Sequence, residues 1–452
     1  MKIRYMCLFL SALFLFALAL SGCAPAVQNQ AETYEEEIRA DPQEPEAEQE
    51  PEEEQEPVEE LEPEAEQDPE EEQGEGLNWY RDAFDPDIPV LKDLYAWQFF
   101  VGAALNTDLL RENSIYRETA AKHYNVFVAE NAMKPESIYP EDNGEYNFGD
   151  ADMLMDFCEE NDALLRGHTL CWHNQTPDFW FHDSETGELV SREALLARME
   201  EYITTVVGHC KGRVHAWDVV NEAISDNGGL RREDESSLYP AIIGDLDGDG
   251  NDWDYIEKAF EFANAADPDA WLILNEYGIE YNDRKLDDLC ALLTDLMEKG
   301  IPVHGVGIQL HGSIYNTSAE NVRNCIERLA EFKKYDPDFT IHITELDLSV
   351  FEYDDRSMQK EIDLATQAML AQLYRELFDV FVEAGSKGYL NMVLTWGIYD
   401  GATWLDYYPI EGRRDAPLLF DENFKTKPAY WAVADPGHLT DALAEYMQRK
   451  EG

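Results

Sequence analysis

VHAWDVVNE, residues 214–222, places a mostly apolar run directly before Asn221 and Glu222. A short run of this kind is typical of a strand that is buried on both faces, as in a parallel sheet. A carboxylate at the end of such a strand is either a paired structural charge or a catalytic group. A second carboxylate in an equivalent position would favour the catalytic interpretation.

Seven other segments repeat this pattern, and stretches with helical periodicity separate them. Strands that alternate with helices in this way predict an α/β fold, a (β/α)8 TIM barrel. An open, doubly wound sheet is the alternative, but no Gly-rich phosphate loop follows the first predicted strand. The seven segments are FFVGAAL (99–105), YNVFVAEN (124–131), ALLRGHTLCWH (163–173), AWLILNEYG (270–278), GVGIQLHG (305–312), TIHITELDL (340–348) and MVLTWGIYD (392–400).

Polar side chains gather at the carboxyl ends of the predicted strands, where barrel enzymes build their active sites. Any one of them would more often be a satisfied hydrogen-bond partner than a functional group, so only their convergence favours a site. In chain order they are Glu130, Asn131, Lys134, His168, Trp172, His173, Asn221, Glu222, Asn275, Glu276, Tyr277, Gln309, His311, Glu345, Asp347 and Trp396.

The seventh predicted strand, in TIHITELDL, supplies the second carboxylate. Because side chains alternate along a strand, Glu345 and Asp347 are expected to share one face, as are Gln309 and His311 on the sixth strand. A histidine beside two close acids would hold one of them as a carboxylate. Two carboxylates on either side of a cleft, here Glu222 and Glu345, are what the hydrolysis of a glycosidic bond requires. Their separation determines whether the sugar configuration is retained or inverted.

Six short motifs occur in a fixed order: ENAMKP (130–135), RGHTLCWH (166–173), WDVVNEA (217–223), GIQLH (307–311), ITELD (343–347) and TWGIYDGATW (395–404). Together they resemble glycoside hydrolase family 10, the retaining endo-β-1,4-xylanases, over nearly all of residues 95–431. The chain departs from the family pattern at Pro135, Glu276, Gly278 and Leu405, and none of these positions removes a catalytic residue.

The resemblance implies a role for each matched residue. Glu222 would be the general acid/base and Glu345 the nucleophile of a double displacement, and His311 would bridge Glu345 and Asp347. Indole rings suit the apolar faces of sugar rings, although a buried tryptophan can also be core packing. The residues that would bind sugar are Glu130, Asn131, Lys134, His168, Trp172, Asn221, Tyr277, Gln309, His311, Trp396 and Trp404.

The implied substrates are xylan and xylo-oligosaccharides, and hydrolysis by paired carboxylates needs no cofactor. One alternative is an endo-acting hydrolase of another β-linked glucan, and a second is a surface lipoprotein that binds glycans without cleaving them. The formal net charge of −61 over 452 residues argues against nucleic acid as a partner. We expect a monomer.

The N-terminal segment resembles a bacterial lipoprotein signal peptide, residues 1–22, in which Lys2 and Arg4 precede an apolar core. The sequence LSGC at its end makes Cys23 the expected lipid-modified residue, which would anchor the protein to the membrane at the cell surface. An ordinary secretory signal or an uncleaved membrane anchor are the alternatives.

Residues 23–76 form a low-complexity stretch of Glu, Pro and Gln, with 23 acidic residues and one Arg in 31–76. This composition predicts a disordered acidic linker. Residues 77–452 are then the catalytic barrel domain.

An acidic insert, DLDGDGNDWDYI (245–256), follows the fourth predicted strand. Asp245, Asp247, Asp249 and Gly250 match the first half of a calcium-binding loop, although the twelfth position is Ile256 instead of the usual Glu. Substitutes for this ligand are Asp252, Asp254 or Glu257. The sequence therefore suggests a structural calcium site at the three aspartates. A polar turn that begins a helix is the alternative.

Overall fold

Eight parallel strands close into a barrel in the computed structural model, which describes residues 79–437. The last strand pairs with the first, with Val101 opposite Val393. The predicted (β/α)8 TIM barrel is therefore confirmed, and the sheet is not open. The eight strands and one short additional strand, β7, are β1 (Phe100–Leu105), β2 (Val126–Ala129), β3 (Leu164–Cys171), β4 (Ala216–Asn221), β5 (Trp271–Glu276), β6 (Gly305–Ile308), β7 (His311–Ser313), β8 (Thr340–Ser349) and β9 (Leu390–Thr395).

Helices connect the strands, and the long ones bury one apolar face, as the leucines of Asp283–Glu298 do. The α-helices are α1 (Leu91–Leu94), α2 (Thr107–Glu112), α3 (Ser114–His123), α4 (Pro135–Ile138), α5 (Gly149–Glu160), α6 (Arg192–His209), α7 (Tyr239–Ile243), α8 (Asp254–Ala266), α9 (Asp283–Glu298), α10 (Ala319–Ala330), α11 (Leu364–Ser386) and α12 (Pro428–Ala434). Short 3-10 helices lie at Asp178–Trp180, Glu233–Glu235, Glu331–Lys334, Asp400–Ala402 and Trp404–Asp406.

The barrel interior combines apolar packing with one buried ion pair. All residues of β2 and β4 are buried, as expected for strands that are covered on both faces. Arg166 pairs with Asp218 on the neighbouring strand, and the two side chains are each 1% exposed. Buried charges persist when they are paired and hydrogen-bonded, and Asp218 also contacts His168. The ion pair thus fixes a histidine that was predicted to belong to the site.

The sixth predicted strand is interrupted, which strict alternation did not anticipate. β6 ends at Ile308, and Leu310 has a left-handed φ of 63° before β7 pairs with β8. Gln309 and His311 nevertheless both reach the site, because the backbone turns between them. On β8 the pairing with β9 shifts between Ile343 and Leu346.

Several predictions concern segments outside the described residues. These are the signal peptide (1–22), the lipid-modified Cys23, the acidic linker (23–76) and the last residues of 77–452. Within residues 79–437, no helix is both long and apolar enough to cross a membrane.

Candidate active site

Glu222 follows β4 directly and has a left-handed backbone, with a φ of 58°. This conformation is uncommon for a residue with a side chain and costs free energy, so neighbouring groups must hold it. The N–H of Glu222 donates to the carbonyl of Asn275 at 2.9 Å, and its own carbonyl accepts from Arg231 Nε at 2.9 Å. The backbone of Glu222 is therefore fixed on both sides.

The carboxylate of Glu222 accepts hydrogen bonds from two N–H donors. Trp172 Nε1 donates to Oε2 at 2.9 Å, and Gln309 Nε2 donates to Oε1 at 3.1 Å. Burial alone would raise the pKa of the Glu222 carboxyl. The combined effect of His173, Arg231 and the two N–H donors is larger and lowers this pKa below its ordinary value of 4.5. Burial also lowers the pKa of His173 to about 4, so this histidine is neutral at higher pH. Above that pH, Arg231 and the two N–H donors are the groups that lower the pKa of Glu222.

Glu345, in β8, is buried and contacts an amide and a histidine. Asn275 Nδ2 donates to its Oε1 at 2.7 Å, and His311 Nε2 lies 3.2 Å from its Oε2. His311 Nδ1 lies 3.0 Å from Asp347 Oδ1. Burial lowers the pKa of His311, but Asp347 and Glu345 raise it more, to about 10. His311 is therefore a cation at neutral pH, and its ring lies between the carboxylates of Glu345 and Asp347.

A chain of three amides links the two carboxylates. Asn275, which contacts Glu345, also donates to Asn221 Oδ1 at 2.8 Å. Gln309, which contacts Glu222, donates to the same oxygen at 3.2 Å. Asn275 was predicted only as one of the polar residues at the strand ends, without a specific role. The Asn-Glu pair at the end of β5 repeats the pair at the end of β4, and this repetition was the available signal.

A buried lysine lies beside the predicted sugar-stacking rings. Lys134 Nζ donates to Asn131 Oδ1 and Gln175 Oε1, each at 2.8 Å, and lies 5.1 Å from the centre of the Trp172 ring and 6.0 Å from that of Trp396. Burial lowers the pKa of Lys134. Gln175 was not predicted to belong to the site, because it lies in an irregular loop without periodic pattern.

Glu130 and His168 occupy the same end of the barrel. Asn106, directly after β1, donates to Glu130 Oε2 at 3.2 Å, and burial raises the pKa of the Glu130 carboxyl. His168 Nδ1 lies 3.0 Å from Asp218 Oδ2, and its ring centre lies 5.5 Å from that of Trp396. Both residues thus have partners that fix their orientation, and His168 lies beside the Trp396 indole.

Tyr277 belongs to a polar network behind Glu222. Its hydroxyl donates to Asp226 Oδ2 at 2.8 Å and accepts from Arg231 Nη2 at 2.9 Å. Glu276, which departs from the family pattern, accepts from the N–H of Ile224 at 2.9 Å and pairs with Lys285 at 3.0 Å. The carboxylate of Glu276 therefore supports the loop that begins at Glu222.

Trp404 lies on the side of the site formed by His311 and Asp347. Its Nε1 donates to Asp347 Oδ2 at 2.6 Å, and its ring centre lies 5.0 Å from that of His311. Tyr408 stacks on Trp404 with a centroid distance of 5.4 Å and an interplanar angle of 10°. Tyr408, 45% exposed, was also missed and extends the aromatic surface.

The acidic insert forms a loop between α7 and α8. One carboxylate oxygen from each of Asp245, Asp247 and Asp254 lies within 4.8 Å of the others. Asp249, which was predicted to be a calcium ligand, instead pairs with Lys299 Nζ at 2.7 Å. The cluster that the structure forms therefore differs from the predicted one by one aspartate.

Comparison with known proteins supports the resemblance found in the motifs. The family model for glycosyl hydrolase family 10 matches residues 90–436. Endo-1,4-beta-xylanase C of Paenibacillus barcinonensis is 41% identical over 360 residues, which are 79% of this chain and 32%, about a third, of that protein. An endo-1,4-beta-xylanase of Geobacillus stearothermophilus is 40% identical over 353 residues, 77% of this chain and 98% of that protein. A solved GH10 structure from P. barcinonensis has a TM-score of 0.75 at 41% identity, covering 78% of this chain and 99% of that chain.

Proposed function

The chain belongs to glycosyl hydrolase family 10, and we propose that it is a retaining endo-1,4-β-xylanase that hydrolyses internal β-1,4-xylosidic bonds of xylan and xylo-oligosaccharides. The observation that carries this proposal is the different environment of two carboxylates at one end of the barrel. Glu345 lies beside the His311 cation, whereas Glu222 accepts from neutral N–H donors. A double displacement needs one carboxylate that attacks and one carboxyl that exchanges a proton, and we assign these roles to Glu345 and Glu222. Because the pKa of Glu222 is lowered in the free protein, the protonated form that the first step uses is the minor form at neutral pH.

In the first step, the Glu345 carboxylate attacks the anomeric carbon and forms an ester bond to the sugar. The bond between that carbon and the leaving oxygen breaks, and protonated Glu222 gives its proton to that oxygen. Asn275 and His311 hold the two oxygens of Glu345, so the nucleophile is positioned before the sugar binds.

In the second step, water attacks the anomeric carbon and the Glu222 carboxylate takes a proton from it. The ester bond breaks, Glu345 leaves as a carboxylate, and Glu222 is again protonated. Two inversions at the same carbon retain the β configuration. Acid, base and nucleophile all come from the chain, so this reaction needs no cofactor, and the predicted calcium at Asp245, Asp247 and Asp249 takes no part in it.

We assign sugar binding to the polar and aromatic groups around these two carboxylates. Lys134, Asn131 and Gln175 offer hydrogen-bonding groups beside the face of Trp172, the combination that sugar hydroxyls and ring faces require. Xylose lacks the exocyclic hydroxymethyl group of glucose, so the space beside Lys134 and Trp396 decides between xylan and a β-glucan.

The test measures reducing-sugar release from xylan and from carboxymethyl-cellulose by the purified protein, beside Glu222→Ala and Glu345→Ala. Glu118→Ala, on the exposed side of α3, is the matched control. We expect xylan cleavage that both site variants lose and the control keeps. Cleavage of the cellulose derivative alone would move the substrate to a β-glucan. Folded protein that binds xylan without cleaving it would make this a glycan-binding protein.

We propose further that Cys23 carries a lipid that anchors the protein at the cell surface. The support is the sequence pattern of Lys2, Arg4, the apolar core and LSGC. The test compares the wild type with Cys23→Ala after growth with a labelled fatty acid. The wild type should carry the label and sediment with membranes. An unlabelled wild type contradicts the proposal.

A further inference from the structure

Three aspartates meet in the loop between α7 and α8, outside the catalytic machinery. One oxygen from each of Asp245, Asp247 and Asp254 lies within 4.8 Å of the others. Calcium binds oxygen ligands at about 2.3–2.6 Å, so two ligands on opposite sides of one ion lie about 5 Å apart. We propose that these three carboxylates bind a divalent cation, and that Ca²⁺ fits them best. The inference is independent of the proposed hydrolysis.

Asp254 supplies an observation that does not depend on acidic spacing. It is only 2% exposed, and its Oδ2 is buried without a hydrogen-bond partner among residues 79–437. A carboxylate oxygen buried in this way costs free energy, and burial raises the pKa of this carboxyl. One carboxylate oxygen of Asp254 lies within 4.8 Å of one oxygen from each of the other two aspartates, so a cation bound between the three would give this buried carboxylate a partner.

Lys299 explains why the cluster differs from the one predicted by spacing. Its Nζ lies 2.7 Å from Asp249, 2.6 Å from Glu257, 3.2 Å from Asp295 and 3.1 Å from Asp247. The ammonium group therefore neutralises one side of the acidic loop. It forms an ion pair with Asp249, so this carboxylate is not free to bind a cation. Only Asp247 is shared between the lysine and the cation site. We expect the ammonium group to weaken cation binding by competing for that carboxylate.

The ligand set favours calcium over magnesium and indicates modest affinity. Ca²⁺ is bound by roughly 6–8 oxygen ligands in a flexible geometry, whereas Mg²⁺ requires a near-ideal octahedron. The three carboxylates leave the remaining positions to backbone carbonyls and water, and Ile256 removes the bidentate ligand of a complete calcium loop. We therefore expect a dissociation constant of about 10⁻⁴–10⁻³ M, as in extracellular calcium modules.

Cation binding should stabilise the loop that leads into the outer layer of the barrel. Asp254 is the first residue of α8, so the cation would join the loop to the start of that helix. Asp252 in the same loop pairs with Arg232 at 2.5 Å, next to the arginine that holds the backbone of Glu222. The expected effect is higher thermal stability, without a direct part in bond cleavage.

The first experiment measures thermal unfolding and calorimetric titration of the purified protein with CaCl₂, MgCl₂ or a chelator. Saturating Ca²⁺ should raise the unfolding temperature by about 2–5 °C, because a ligand of the native state stabilises it. Mg²⁺ should act more weakly, and the chelator should abolish the gain. No heat of binding and no shift at millimolar Ca²⁺ would overturn the proposal.

A matched pair of variants tests the ligand set. Asp254→Asn should weaken Ca²⁺ binding at least about tenfold, whereas Asp249→Asn, the same change in the same loop, should leave binding nearly intact. The reverse result would overturn the assignment of Asp254. Circular dichroism checks that each variant is folded.

Lys299→Met provides a second measurement if Asp254→Asn does not fold. Loss of the competing ammonium group should tighten Ca²⁺ binding and make stability more dependent on it. Trp253, next to Asp254, should also sensitise the luminescence of bound Tb³⁺, and Ca²⁺ should displace that ion. Unchanged affinity in Lys299→Met together with absent Tb³⁺ luminescence would contradict the proposal.

Discussion

Trp172 donates its indole N–H to Oε2 of Glu222 at 2.9 Å, so one side chain combines a ring face proposed to stack on sugar with a hydrogen bond to the carboxylate proposed as the acid/base. A hydrogen bond to the ionised form stabilises it, and this contact contributes to the lowered pKa of Glu222. The two effects of the tryptophan, stacking and control of charge, can be separated by substitution.

Trp172→Phe should move the alkaline limb of the kcat/KM profile to higher pH. The variant keeps an aromatic ring but removes the N–H donor that helps to lower the pKa of Glu222, so that pKa should rise. The measurement is kcat/KM for a xylo-oligosaccharide against pH. Trp396→Phe is the control, because that ring lies beside Lys134 and His168 instead. An alkaline limb that stays in place would contradict the role of the N–H.

Glu222→Ala and Glu345→Ala should differ in their dependence on the leaving group. Loss of the general acid should cost about 10²–10⁴-fold on xylan, and much less in the first step with an aryl xylobioside whose phenol is strongly acidic. Loss of the nucleophile should abolish turnover of both substrates, since no ester bond can form. Pre-steady-state release of the phenol measures the first step. Equal losses for both variants would refute separate roles.

His311 should make the protein less stable as the pH rises above neutrality. Its folded-state pKa of about 10 lies above the ordinary value of 6.5, so the folded state binds one more proton between these values. Stability from this group is complete below pH 6.5 and is lost as the pH rises towards 10, with a slope of about 1.4 kcal/mol per unit. Urea unfolding at several pH values measures this slope, which should be smaller in His311→Gln.

Arg231→Leu should lower kcat more than it raises KM. The arginine holds the carbonyl of Glu222 and the hydroxyl of Tyr277, so its loss should displace the acid/base by a fraction of an ångström. A misplacement of this kind costs up to about 100-fold. Arg232→Leu, whose guanidinium instead pairs with Asp252, is the control. Equal kinetics of the two variants would show that the contact does not position Glu222.

Gly167→Ala and Gly208→Ala should change stability in opposite directions. A methyl group at Gly167 would overlap the indole ring of buried Trp217, so this variant should lose about 1–3 kcal/mol. Gly208 lies in α6 with open space around it, so alanine there should gain about 0.5 kcal/mol through helix propensity. Urea unfolding measures both. A stable Gly167→Ala protein would contradict the packing at that point.

The sequence located the barrel and both carboxylates because each depends on local patterns. Glu222 and Glu345 follow or lie within apolar runs whose ends meet at one side of any parallel barrel. Strand alternation also placed Gln309 and His311 together, but for a wrong reason. The left-handed turn at Leu310, which no periodicity reveals, brings both of them to the site.

The other site residues could not be predicted, because their contacts depend on loop conformation and on side-chain orientation. Gln175 and Tyr408 lie in irregular segments, and their contacts with Lys134 and Trp404 arise only once the loops fold. The spacing of a calcium loop pointed to Asp249 as a ligand and offered Asp254 only as one of three substitutes for the twelfth position. The position of Lys299, far along the chain, decides between the two aspartates.

The pairing of β1 with β9 also has a consequence for the synthesis of the protein. β1 can pair with β2 early, but its other edge lacks a partner until residues 390–395 of β9 have emerged. Until then this edge of β1 exposes unpaired backbone groups, which favour aggregation. The newly made chain thus passes through a long vulnerable interval, and chaperones that shield open strand edges should determine how much of it reaches the folded state.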